Sequence, residues 1–149
     1  MFKRILFPVD FSEVQEGMIE YVLTTAEKFQ SEIFILYVAR DLTYFTELDV
    51  PHPSIYSFHQ DIQKGAEKKM KEFCDKNFME KSYSSHILVG DPATEVVTFI
   101  EENGIDLVIM GTHGRQGLNR IVFGSMAEKI ARHSPVPILI IKPPRQASP

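Results

Sequence analysis

The residues of this chain that could do chemistry concentrate between Val108 and Ser125, in the stretch V-I-M-G-T-H-G-R-Q-G-L-N-R-I-V-F-G-S. An apolar run enters a glycine-spaced loop, and the loop opens into a helix at Gly124-Ser125. Glycines at 111, 114 and 124 bracket His113, Arg115 and Arg120. A glycine lets backbone N–H groups approach an anion where a Cβ would stand in the way. Gly124 and Ser125 add the unpaired N–H groups and the positive dipole end of a helix, and Ser125 brings a hydroxyl. Such a set is a cradle for phosphate. A second set, Pro8-Val9-Asp10, lies near the other end of the chain. Asp10 could bond a ribose hydroxyl or hold Mg²⁺. It serves equally well as a plain helix cap, just as loop glycines serve turns and Ser125 a cap. The placement of both sets at strand ends is what points to a nucleotide or another phosphorylated ligand.

Other chemistries find no support. The chain has no G-x-x-x-x-G-K-[ST] and no G-x-G-x-x-G, so neither a Walker-type NTPase nor a standard dinucleotide site is indicated. It has no H-E-x-x-H and no G-x-S-x-G, because Ser125 directly follows its glycine. The histidines, at 52, 59, 86, 113 and 133, lack metal-ligand spacing. No nucleophile–base pair can be read. The single cysteine, Cys74, excludes an intrachain disulfide and a cysteine-rich zinc site. The net charge of −4 argues against general nucleic-acid binding. From His113 to Pro149 there are six Lys/Arg against one acid, a local +5 that leaves −9 for the remaining residues. That asymmetry suits a small anion near this end better than a polyanion over the whole surface.

The elements that must position these residues follow from periodicity. Residues 3–9 read as a short buried strand. A helix follows to about Gln30, with Val14, Met18, Val22, Ala26 and Phe29 in helical period. Asp10 with Glu13, or Ser12 with Gln15, could form its capping box. Residues 32–39 form a second strand whose continuous apolar run implies burial on both faces. Residues 41–57 carry prolines and no period and read as a variable loop, with Tyr44, Phe45 and Tyr56 available to cover a ligand, a partner or the domain's own edge. A long helix is expected over 59–80, with Cys74 on its apolar face as a small core residue. A third strand spans 84–90, and Pro92 starts the next helix, which stops near Asn103-Gly104. The fourth strand, 105–110, feeds the glycine loop. Gly124 to His133 is helical, 136–142 is the fifth strand, and 143–149 is a frayed tail.

The alternation β-α-β-α-β-α-β-α-β over a single domain, 1–149, predicts a parallel sheet with helices on both faces. Pro137 within the last strand predicts an edge position, and an apolar edge strand calls for a partner such as a second copy. No apolar run reaches the ~18–20 residues of a bilayer span, and Met1-Phe2-Lys3-Arg4 leads into a run too short and too soon charged for a signal peptide. A cytoplasmic location without membrane association is the expectation.

Gly111-x2-Gly114-x9-Gly124-Ser125 resembles the nucleotide motif of the universal stress protein family. Ile5-Leu6-Phe7-Pro8-Val9-Asp10-Phe11-Ser12-Glu13 resembles the family's opening strand and cap, and Gly90-Asp91-Pro92 its third-strand exit. Ser125-Met126-Ala127-Glu128-Lys129 and Pro135-Val136-Pro137-Ile138-Leu139 resemble its closing helix and strand. The resemblance implies an α/β, Rossmann-like fold: a five-stranded parallel open sheet in order 3-2-1-4-5 with helices on both faces. It implies a homodimer through strand 136–142 and an adenine nucleotide, ATP with Mg²⁺, as ligand. By position, Pro8, Val9 and Asp10 would flank adenine and ribose, with Asp10 the metal ligand, and Val38 would line the adenine pocket. Met110, Gly111 and Gly114 would hold ribose and phosphates, Gly124, Ser125 and Met126 the phosphates, and His113 and Arg115 would touch phosphate from within the motif. Val9 stands where many members have threonine, so one hydroxyl contact is lost. The function implied is a nucleotide-binding stress-response module, regulatory or protective, with an unknown protein partner. A slow ATPase or nucleotidyl-transferring enzyme ranks below it for want of a general base. A protein-interaction module with incidental nucleotide binding is the third reading.

Overall fold

A computed structural model describes residues 1–40, 52–112 and 124–142, with only the backbone course of 13–14 and 52–56. The elements in chain order are β1 (Arg4–Pro8), α1 (Glu13–Glu16), α2 (Ile19–Phe29), β2 (Glu32–Arg40) and α3 (His52–Asn77). They continue with β3 (Tyr83–Gly90), α4 (Pro92–Glu102), β4 (Leu107–Gly111), α5 (Ser125–His133) and β5 (Ile138–Ile141). The five strands form one sheet in the order β3-β2-β1-β4-β5, and every neighbouring pair is parallel.

The apolar runs of the central strands alternate between two cores. Ile5, Phe7 and Val9 of the β1 segment share one face with Ile33, Ile35, Leu107 and Ile109, under Met18, Val22 and Ala26 at α2 and Met70 and Cys74 of α3. Leu6, Phe34, Leu36, Val108 and Met110 share the other, under Val96, Phe99 and Ile100 of α4 and Ala127 and Ile130 of α5. Burying side chains of this size stabilises by roughly 1.5–3 kcal/mol each, which is why β1, β2 and β4 read as unbroken hydrophobic stretches. Cys74 lies in the first core, and burial pushes its thiol pKa up to about 11. It is a packing residue.

Four expectations are corrected. The helix placed before Gln30 is two helices, because the chain breaks at Gly17-Met18. The N-cap of the first is Ser12, which makes no side-chain cap bond, while Asp10 Oδ1 accepts the Ser12 N–H at 2.9 Å; the Glu13 side chain lies outside the described residues. The long helix begins at His52 rather than 59, so the end of the predicted 41–57 loop is helical. Pro53 falls in its first turn, where a missing N–H costs nothing. Residues 41–51, with Tyr44 and Phe45, and the 143–149 tail lie outside the described residues, and the Tyr56 side chain is not described. Strand β5 is an edge as expected, but Pro137 precedes it; the Pro137 carbonyl accepts the Val108 N–H at 3.0 Å and so starts the ladder. No helix among the described residues is long and apolar enough to cross a membrane.

Candidate functional site

The order of the strands reverses at β1, which pairs with β2 on one side and with β4 on the other (Ile5↔Leu107, Leu6↔Val108). The connections through α2 and α3 cover one face and those through α4 and α5 the other. In an open parallel sheet this leaves a crevice beyond the carboxyl ends of the two strands at the switch point. The described residues of the two sequence sets lie at those ends.

On the β1 side, the Val9 N–H donates to Leu36 O at 2.8 Å, extending the pairing one residue past Pro8. Pro8 and Val9 are buried and Asp10 is half-buried. Pro8 pairs with Leu36, so Val38 stands two residues beyond the end of β1 on β2. The chain then turns sharply: Phe11 sits at φ +62°, a left-handed conformation that costs a bulky L-residue of order 1–3 kcal/mol. Two anchors hold it. The Phe11 ring packs on Tyr37 (centroids 4.8 Å apart) and edge-on to Phe73 (5.9 Å). The Gln15 amide oxygen accepts the N–H groups of Asp10 (2.8 Å) and Phe11 (3.1 Å), and its Nε2 donates to Pro8 O at 3.2 Å. Asp10 Oδ1 is engaged by the Ser12 N–H, and its second oxygen has no partner among the described residues. The Ser12 hydroxyl is buried and likewise unpartnered among them.

On the β4 side, the Thr112 N–H donates to Ile141 O at 3.3 Å, and Thr112 O accepts the Gly124 N–H at 2.9 Å. That bond pins the start of α5 to the end of β4. Gly124 is the N-cap of α5, at φ −58° and ψ 152°, and no side chain caps the helix among the described residues. The first-turn N–H groups at Ser125 and Met126 therefore carry the positive dipole end, with Glu128 the acidic residue of that turn. Ser125 is exposed and Met126 half-buried. Met110 is buried in the core under α4 and α5, so only its backbone is available to a ligand. His113, Gly114 and Arg115 lie outside the described residues.

The structure thus brings Pro8, Val9, Asp10, Gly111, Gly124, Ser125 and Met126 to neighbouring strand ends, with Val38 one strand further along. Gln15 is the residue that sequence reasoning missed. Its polarity matched a capping box with Ser12, and nothing in the pattern distinguishes that partner from the loop N–H groups it holds. Among the described residues no group of three or more His, Cys, Asp or Glu is placed to hold a metal. Asp91 sits at the β3 exit and caps α4; it accepts the Thr94 hydroxyl (2.8 Å) and N–H (3.1 Å), and these bonds hold its carboxyl below the usual range.

Comparison with known proteins agrees with this fold. A family model for the universal stress protein family matches residues 1–142. Universal stress protein MJ0531 of Methanocaldococcus jannaschii is 31% identical over 150 residues, covering 98% of this chain and 85% of that protein. Universal stress protein MJ0577 of the same organism is 32% identical over 159 residues, covering 95% and 96%. A solved structure of MJ0577 matches with a TM-score of 0.78 at 29% identity, covering 99% of each chain.

Proposed function

Because the chain belongs to the universal stress protein family, we propose that it binds an adenine nucleotide, ATP with Mg²⁺, across the ends of β1 and β4. The observation that carries this reading is Gly124. Its φ of −58° is open to any L-residue, and an added Cβ would stand 3.4 Å from Thr112 O, an ordinary contact. Among the described residues neither backbone strain nor internal packing asks for glycine there, beyond its modest advantage over alanine as a helix N-cap. A glycine also leaves the α5 N-terminus without a side chain where a phosphate would approach.

In this reading Pro8, Val9 and Val38 flank the base, and Asp10 meets the ribose. The backbone at Met110, Gly111 and Gly114 carries the ribose and first phosphates. Gly124, Ser125 and Met126 take the outer phosphates, joined by His113 and Arg115. The donor chemistry fits the metal: Asp10 offers one unengaged carboxylate oxygen among the described residues, and Mg²⁺ takes one or two carboxylates with phosphate oxygens and water completing its shell. The sequence offers no evident general base, so the reading is of a binding module, regulatory or protective in stress, working as a homodimer through the strand at 136–142. Calorimetric titration of the purified protein with ATP–Mg²⁺ tests it. Saturable heat with a thermal shift is expected; neither at millimolar nucleotide would end the reading.

A further inference from the structure

We propose that Gln15 is a positioning residue of the nucleotide site, fixing the β1 exit from beneath. The proposal rests on the nucleotide reading above. Gln15 is the one polar residue buried as a whole among the described residues, 8% exposed. Its amide makes three hydrogen bonds, all to the backbone of the segment that would meet base and ribose. Oε1 takes the N–H groups of Asp10 and Phe11, and Nε2 gives a proton to Pro8 O. A glutamine amide can accept twice and donate once in this way without titrating, which an ionised glutamate cannot. A methionine would fill the same space and leave both N–H groups buried without an acceptor. A glutamate would keep both acceptor bonds and lose the donation to Pro8 O.

The consequence concerns Asp10. Its N–H is held by Gln15, and its Oδ1 is held by the N–H of Ser12, the first residue after the left-handed Phe11. The direction of the remaining carboxylate oxygen is therefore set by a chain of bonds that begins at Gln15. Phe11 is braced from the other side by Tyr37 and Phe73, so loss of the amide would let the 8–11 backbone relax while the ring stays anchored. The binding groups themselves would be retained but misdirected.

The test compares wild type, Gln15→Met and Gln15→Glu by calorimetric titration with ATP–Mg²⁺ and with adenosine, alongside urea unfolding of the nucleotide-free proteins. Gln15→Met is expected to lose about tenfold or more in affinity for both ligands, the change that one misplaced hydrogen bond makes to an equilibrium. Gln15→Glu is expected to bind closer to wild type than Gln15→Met, whichever variant unfolds first in urea. A folded Gln15→Met that binds like wild type would overturn the proposal. So would affinities that simply follow the urea midpoints, or failure of both variants to fold, since either makes the amide a requirement of the fold alone. If wild type itself gives no heat with nucleotide, the nucleotide reading fails first and takes this proposal with it.

Discussion

Replacing Gly124 by alanine separates a glycine kept for the fold from one kept for a ligand. The backbone at 124 needs no adjustment, because φ −58° and ψ 152° lie in a region common to all L-residues. Among the described residues the new methyl would meet Thr112 O at 3.4 Å, an ordinary contact. Two small terms then oppose each other. Alanine in a compatible conformation restricts the unfolded chain and stabilises by ~0.4–1 kcal/mol. Alanine is also a poorer N-cap than glycine, at a cost of roughly 0.5–1 kcal/mol. Their sum lies within about 1 kcal/mol of zero, and in a domain of this size that is a melting shift of no more than about 2–4 °C. The effect on the ligand has no such cancellation. If the proposed phosphate site lies against Gly124, the methyl pushes the anion from the N–H groups of α5, and a tenfold loss of affinity needs only ~1.4 kcal/mol. Scanning fluorimetry of the nucleotide-free variant and calorimetry with ATP–Mg²⁺ read the two quantities separately. The reasoning is refuted if the nucleotide-free protein melts far below wild type, or if the stable variant binds ATP as wild type does.

Three further outcomes are expected. Asp91→Ala removes both bonds that cap α4 and should lower stability by about 1 kcal/mol in urea unfolding while leaving nucleotide affinity unchanged; equal stability would show that the cap does not matter. His86 stacks on Phe34 and meets Phe99 edge-on, and burial lowers its pKa. A base with a depressed folded pKa favours the neutral form in the native state, so its contribution is full above roughly pH 6.5, the unfolded value, and is lost as the unfolded chain protonates below it. The urea midpoint of wild type should accordingly fall more between pH 7 and 5 than that of His86→Gln, and parallel falls would count against it. At the sheet edge, Leu139 of β5 is 41% exposed; if the strand pairs with a second copy, Leu139→Lys should turn a dimer into a monomer in sedimentation velocity, and a wild-type monomer at micromolar concentration would dispose of the idea.

The parts of this structure that were legible in the sequence are those where burial acts on a single element. Strands β1, β2 and β4 lie in the middle of the sheet with a helix layer on each face, so both sides of each must be apolar and the run is continuous. Pro92 at the first position of α4 and Gly104 at φ +60° beyond its end are local backbone requirements that only those residues meet cheaply. What escaped depends on groups brought together by the fold. The spacing of Val14, Met18, Val22 and Ala26 carries straight through Gly17, so periodicity gives no sign that α1 and α2 are separate. Pro51 and Pro53 read as loop punctuation, yet Pro53 falls where a helix tolerates it, and α3 starts a full two turns early. The pairing of β1 with β4 leaves no mark on either strand; it came from family resemblance, and with it came the crevice. Gln15 is the sharpest case. Its spacing from Ser12 argues for a capping box, but the left-handed turn at Phe11 leaves two N–H groups that Gln15 takes instead, and a buried donor must find an acceptor. A site residue of that kind is chosen by the backbone it must satisfy, and that backbone exists only once the turn is made.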